Sequence, residues 1–263
     1  MMMNERFIIL SKEDPISVNL ANHVRQRFEM NEWIFDEINP NLVVTIGGDG
    51  TFLRAIHRFM DRIEDVKFIG IHTGTLGFYT NYNPNELDEF FNDIQSNRLR
   101  VHALPILGVE VNHRNTKYHF DAVNEIRVEN VIRTQLLKVS INGHLLETFR
   151  GTGFCISTQA GSTAYNRSLG GAILQEGLDF MQLTEITGIH HHAYRSLGSP
   201  LIVKQESIVQ LSSDDFNDAV LCYDHLSFPL EKDTELTVHY MPKHVSLLVR
   251  PEYTYFHRLK SLF

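Results

Sequence analysis

Residues 42–46, LVVTI, form a near-continuous apolar run that ends in Gly47-Gly48-Asp49-Gly50. Directly after it, Phe52, Leu53, Ile56, Phe59 and Met60 recur at helical spacing. A strand with apolar residues on both faces must be covered on both sides. A strand that passes at once into a helix pairs most simply with its successor in parallel, because the helix supplies the crossover. The same order recurs in the flanking sequence. FIIL (residues 7–10) precedes Asp14-Pro15, an N-cap followed by a first-turn proline, and a helix to about Met30 with Val18, Ala21, Val24 and Phe28 near one face. KFIGI (67–71) precedes a glycine-punctuated loop, HTGTLGFYT, and then Asn83-Pro84 caps NELDEFFNDI, a solvated helix around Leu87, Phe90 and Phe91. An α/β layer on a parallel sheet is therefore expected over residues 1–100.

The pattern changes near Val101. ILGVEVN, KYHFDAVNEIRV, QLLKVSI and HLLETF are short runs of strand type, and Asn142-Gly143 between the last two is a type I′ hairpin signal. Runs of the same type resume at SIVQL, DAVLCY, ELTVHY and VSLLV. One helix is expected between, over about Gly170 to Phe180. Residues 101–249 thus read as an antiparallel β-sandwich, with the last segment, about 250–263, returning to the α/β domain.

The net charge of -8 on 263 residues argues against a nucleic-acid groove, which needs a basic surface. It leaves open an anionic small ligand held by a local loop. Cys155 and Cys222 each lie in an apolar strand-like run and read as reduced, buried small hydrophobes. No metal-ligand spacing joins them, and no histidine pair has such spacing either. The consecutive His190, His191 and His192 diverge in extended or loop structure and are expected in a surface or interface loop. Trp33 is expected to be a packing residue. MMMNERFIIL is too short in apolar core for a signal peptide, and no run reaches membrane-spanning length, so a cytoplasmic protein with no membrane partner is expected.

Three stretches carry chemistry. In IGGDGTF, a strand opens through glycines into a helix, so backbone N–H groups and the positive helix end can cradle phosphate without a lysine. Asp49 is then free to accept a proton from an attacking hydroxyl or to help hold Mg²⁺. The competing reading is a tight turn in which Asp49 caps the following helix. STQAGSTAYNRSLGGAIL (157–174) clusters hydroxyls and glycines that suit a base or ribose, or else cap their own helix. In DAVNEIRV, Asn124-Glu125 is a polar pair inside a strand, able to grip a sugar diol or an adenine edge, or else part of a solvated face.

Together GGDGT, NE and ST..GSTAYN..LGG, with HTGTLGFY, RSLGSPL and YDH (223–225) in the same order, resemble the bacterial NAD kinases over nearly the whole chain. GGDG is shared with lipid and sugar kinases, whereas GSTAY with NE is far more specific. The resemblance implies an N-terminal α/β domain and a C-terminal β-sandwich. It implies transfer of phosphate from ATP or polyphosphate, with Mg²⁺ or another divalent cation, to the 2′-hydroxyl of the adenosine ribose of NAD. Asp49 would be the base, with Gly47, Gly48 and Gly50 against phosphate. Asn124 and Glu125 would bind adenine and ribose. Phe78 would pack on the base, and Thr163, Ala164 and Tyr165 would line its pocket. Arg150 and Ser168 would lie on the nicotinamide or ribose side and His225 near the reacting end. Asn166, Arg167 and Thr187 would belong to the same NAD site, in a homo-oligomer, dimer or tetramer.

Two positions depart from the family pattern. Thr152 stands where an aspartate is usual, and Thr158-Gln159-Ala160-Gly161 where Thr-Pro-Ser/Thr-Gly is usual. Neither touches Asp49. They motivate an alternative, a non-catalytic dinucleotide-binding protein, beside the further alternative of a GGDG lipid or sugar kinase.

Overall fold

The computed structural model describes residues 5–74, 76–189 and 196–260. The chain divides into two compact units, residues 1–104 with 243–263, and residues 105–242.

In the first unit, β1 (Arg6–Ser11), α1 (Pro15–Met30), β2 (Ile34–Phe35), β3 (Leu42–Ile46), α2 (Asp49–Arg58), β4 (Lys67–Ile71) and α3 (Leu87–Gln95) follow in order. β1 lies between β2 and β3, β3 pairs with β4, and all three pairings are parallel. Every residue of β3 is buried, as a strand covered on both faces requires. α1 starts where the sequence signals it: Asp14 accepts the N–H of Ser17 at 3.0 Å, and Pro15 occupies the first turn. Asn83 and Glu86 form a reciprocal capping box around a 3₁₀ turn that leads into α3. Phe7, Phe28, Phe90 and Phe91 share the core with Val44, Ile46 and Ile69. Trp33 packs against Phe7 and Phe28.

The second unit is mostly antiparallel, as the strand pattern predicts. The chain enters it along β5 (Arg100–His113), followed by β6 (Thr116–Ala122), β7 (Glu125–Glu129), β8 (Gln135–Ile141) and β9 (His144–Ser157). After the short helix α4 (Tyr165–Ser168) come β10 (Phe180–Gly188), β11 (Leu201–Lys204), β12 (Val209–Ser212), β13 (Val220–Tyr223) and β14 (Leu226–Pro229). The chain leaves along β15 (Thr234–Val249), and α5 (Tyr255–Lys260) lies in the first unit. β9 is the hub, paired with β7, β8 and β10. Asn142 and Gly143 both have positive φ, 52° and 78°, as the type I′ turn between β8 and β9 needs. Phe149, Phe154, Ile156, Leu183, Phe216 and Leu221 lie at the centre of one core.

Three expectations change. No helix spans Gly170–Phe180; the helical turns come earlier, a 3₁₀ turn at Ala160–Thr163 and then α4. The Gln182 side chain holds both backbone groups of Ala172, and Gly170 and Gly177 take left-handed φ of 81° and 85°, so that stretch cannot wind. KYHFDAVNEIRV is not one strand: β6 ends at Ala122 and β7 begins at Glu125. ELTVHY and VSLLV are not two strands but parts of β15. His190–His192 lie outside the described residues.

Candidate functional site

The first unit carries a phosphate-type half-site. α2 starts immediately after β3, and Gly48 is its N-cap, in extended backbone with no side chain closing the cap. That overturns the reading of Asp49 as a helix cap. Its carboxylate turns to the loop after β4 instead: Oδ2 accepts the N–H of Phe78 at 2.9 Å, and Oδ1 accepts that of Tyr79 at 3.1 Å. Gly77 makes this possible, since a Cβ there would stand 2.1 Å from Asp49 Oδ1. Burial pushes the Asp49 pKa up, while the two backbone donors pull it down. Around Gly48 and Gly50 there is open space on the side where a Cβ would point. A pocket of about 590 Å³ opens there, lined among others by Lys12, Asp14, Gly48, Gly50, Thr51 and Arg54. Gly47 is placed one residue back, its N–H bonded to Ile71 O at 2.9 Å. Phe78 has its ring edge-on to Tyr255, with centroids 6.2 Å apart.

Lys12 and Arg54 are the residues that sequence reasoning missed. Lys12 directly follows β1, at the carboxyl end of the parallel strands, where open α/β sheets bind ligands. The cations absent from the glycine loop therefore stand beside it, Lys12 after β1 and Arg54 further along α2. Lys12 lies 3.5 Å from Asp14, and Arg54 donates to Thr51 Oγ1 at 3.3 Å.

The second unit carries a half-site of different character. Asp224, in the left-handed turn between β13 and β14, accepts the N–H groups of Val123 and Asn124 at 2.9 and 2.7 Å. That clamp holds open the break between β6 and β7. Thr158 donates its hydroxyl to Val123 O at 2.6 Å, and Gly161 packs so closely that a Cβ would stand 1.9 Å from Asn124 O. The Asn-Glu pair and the GSTAY stretch are thus one packed structure. Tyr165 places its ring 4.1 Å from the Arg127 guanidinium, and Thr184 donates to Asn166 Oδ1 at 2.7 Å. Thr163 Oγ1 donates to Ala160 O at 3.0 Å, and the N–H of Ala164 bonds to Gly161 O at 2.9 Å. Arg167, Ser168 and His225 are exposed.

Arg150, Thr152 and Thr187 lie further along β9 and β10. Ser157 pairs with Glu125, whereas Gly151 pairs with Gly188 on β10. The structure therefore gathers Asn124, Glu125, Tyr165 and Asn166 and leaves those three at a distance along the strands. Gln159 uses its side chain internally, donating to Leu174 O at 2.8 Å.

Among the described residues, the buried Glu125 Oε2, Ser157 Oγ and Asn166 Nδ2 have no hydrogen-bond partner. Buried polar groups are normally satisfied, so three such atoms around one packed turn set it apart from the rest of the core. Burial, then the nearby Asp224, raises the Glu125 pKa to about 8; Arg127 opposes the rise and Glu129 adds to it. Cys155 is buried and Cys222 only partly so; both are free thiols.

A family model for the ATP-NAD kinase N-terminal domain matches residues 34–99, and one for the ATP-NAD kinase C-terminal domain matches residues 123–249. An NAD kinase of Geobacillus stearothermophilus is 40% identical over 223 residues, 84% of this chain and 82% of the relative. An NAD kinase of Streptococcus pneumoniae (strain Hungary19A-6) is 39% identical over 208 residues, 79% of this chain and 76% of the relative. In fold, the chain is similar to yeast NADH kinase in its crystal structure complexed with NADH, with a TM-score of 0.85 at 19% identity, covering 97% of this chain and 86% of that one. It is also similar to an NAD kinase from Archaeoglobus fulgidus in complex with ATP, with a TM-score of 0.77 at 21% identity, covering 97% and 99%. Identities of that size speak to the fold alone.

Proposed function

This chain belongs to the NAD kinase family, and from that premise we propose that it phosphorylates the 2′-hydroxyl of the adenosine ribose of NAD, with ATP or polyphosphate as donor, to give NADP. The observation that carries the mechanism is the Asp49 carboxylate, held by two backbone N–H groups beside a pocket that contains Lys12 and Arg54. Asp49 accepts the proton of the 2′-hydroxyl as its oxygen attacks the γ-phosphorus, and the bond to the β-phosphate oxygen breaks to release ADP. Its burial-raised pKa favours taking up that proton. The amides of Gly48 and Gly50, the start of α2, Lys12 and Arg54 neutralise phosphate charge. Asn124, Glu125, Tyr165 and Asn166 grip the adenosine end of NAD, with Thr163 and Ala164 at its edge. Arg150, Thr152, Ser168 and Thr187 serve the nicotinamide side, and Arg167 and His225 lie at the rim.

Among the described residues no three His, Cys, Asp or Glu side chains converge as metal ligands. Mg²⁺ would enter as a companion of the ATP phosphates, the usual way in which it reaches such sites. No helix among the described residues is long and apolar enough to cross a membrane. A cytoplasmic enzyme acting on soluble nucleotides agrees with that. A homodimer or homotetramer is proposed on the family resemblance alone. The second family match, to residues 123–249, speaks against a lipid or sugar kinase sharing only GGDG.

The test is incubation with NAD, ATP and Mg²⁺, read by coupled detection of NADP. NADP formed in amounts beyond the enzyme supports the reading. NAD binding with no NADP, from either ATP or polyphosphate, overturns it in favour of a non-catalytic binding protein.

A further inference from the structure

One face of the second unit carries a charge row that the reaction as described does not use. Arg127 on β7 stands opposite Cys155 on β9 and Cys222 on β13. Residues directly opposite across a sheet share a face, as do residues two apart along a strand. Glu125, Arg127 and Glu129 therefore form a row on one face, with a cysteine on either side of the arginine. Arg127 Nη1 pairs with Glu129, and its Nε lies 3.6 Å from Glu125 Oε1, too far for a hydrogen bond. Among the described residues Arg127 Nε and Glu125 Oε2 both lack a hydrogen-bond partner. The Tyr165 ring covers the guanidinium at 4.1 Å, inside the range of a cation–π contact.

A structural arginine would be expected to spend its donors on its neighbours. This one leaves Nε free toward Glu125 and gives its flat face to Tyr165. We propose that Arg127 is the positioning residue of the dinucleotide site in this unit, its guanidinium fixing the ring plane of Tyr165 while standing as counter-ion 3.6 Å from the Glu125 carboxylate. It does so without touching NAD. The inference rests on the reading that Tyr165 and Glu125 contact NAD. An arginine suits the task because a planar guanidinium can stack and pair at once, which a lysine ammonium cannot.

The charges around Glu125 make the role measurable. Asp224 and Glu129 both repel a second negative charge there, and the thiols of Cys155 and Cys222 are held neutral by burial. Tyr165 is likewise neutral, its pKa raised chiefly by burial. Arg127 is the one group acting on Glu125 that favours its ionised form. Removing Arg127 therefore moves the Glu125 titration, near pH 8 with the arginine in place, to higher pH.

The experiment compares Arg127→Met, Arg127→Lys and Glu125→Gln in the full chain. The readouts are kcat, the KM for NAD across pH, and thermal unfolding. Arg127→Met should raise the KM for NAD about tenfold, with kcat changed less than about threefold, the mark of lost uniform binding. The inflection of KM with pH should move upward. Arg127→Lys keeps the charge and loses the stack, so it should restore the inflection but only part of the KM. A folded Arg127→Met variant with KM and inflection both at wild-type values overturns the proposal, even if its unfolding temperature falls. Should the methionine variant not fold, the lysine variant decides: a KM raised about threefold supports the stack, and an unchanged KM overturns it. If Glu125→Gln leaves the KM for NAD unchanged, it is the underlying reading of the site that fails. If Glu125→Gln raises KM and Arg127→Met does not, only the positioning role falls.

Discussion

Asp49 and Glu125 are both carboxylates in enclosed places, yet their surroundings are opposite. Asp49 has a backbone donor on each oxygen and a glycine cut to its shape. Glu125 has a buried oxygen with no partner among the described residues, a second carboxylate nearby, and a pKa raised to about 8. The first has its partners in the fold, and the second has one oxygen without any among the described residues, as the proposed contact with NAD would require. That is the difference expected between a group that must keep one geometry through a reaction and a group whose partner is the substrate. Asparagine is not a neutral replacement at position 49. Asparagine offers one acceptor oxygen to two N–H donors, so Asp49→Asn leaves one backbone donor facing an amide NH₂.

The contrast can be broken at several points. Apart from Asp49 itself, the largest effect is expected at Gly77, in the HTGTLGFY stretch. Gly77→Ala puts a methyl 2.1 Å from Asp49 Oδ1, so the carboxylate or the loop must move. A displacement of about 1 Å at a catalytic group costs about a hundredfold in rate, and kcat should fall by that order. An unchanged kcat would mean the loop yields without disturbing Asp49. Next comes Glu125→Gln, which should raise the KM for NAD about tenfold above pH 8, where the carboxylate is ionised and the variant loses a charged hydrogen bond, with kcat little affected. A large fall in kcat with unchanged KM would place Glu125 with the chemistry rather than with binding.

Thr152→Asp comes third. It restores a carboxylate on β9 and should lower the KM for NAD a few fold, about threefold, with kcat unchanged. A higher KM would show a pocket rebuilt around threonine. A further effect is on the pH dependence of stability. The folded protein holds the Glu125 proton to about pH 8, whereas the unfolded chain releases it near its ordinary value of 4.5. The contribution is therefore full below the unfolded pKa and is lost as pH rises through the folded one. Glu125→Gln removes that loss, so its unfolding temperature relative to wild type should rise between pH 5 and pH 8. A constant difference across that range would show that Glu125 does not titrate there.

The α/β part was legible because its signals are local: Asp14-Pro15 starts α1, and an apolar run leading into glycines and a helix specifies β3 and α2. The type I′ turn at Asn142-Gly143 was legible for the same reason. The stretch after Gly170 misled because its conformation is set by a residue on β10: Gln182 takes both backbone groups of Ala172. The break at Val123-Asn124 depends likewise on Asp224, about a hundred positions away. Of the site, the motif residues could be named, but not what holds them. Lys12 comes from the end of β1, far from the glycine loop in sequence, and the Arg127–Tyr165 contact joins a strand to a helix that no short pattern links.

The central claim is that Asp49 takes the proton of the attacking hydroxyl. The direct measurement is kcat for Asp49→Asn against wild type, with the Kd for NAD determined on the same samples. A hundredfold or greater loss of kcat, within the range of about 10²–10⁴ for removal of a general base, is expected with NAD still bound. A somewhat lower unfolding temperature should accompany it, from the backbone donor left unpaired. A variant that keeps more than about a tenth of wild-type kcat would contradict the account, leaving Asp49 as the anchor of the Gly77–Tyr79 loop and phosphoryl transfer to positioning alone.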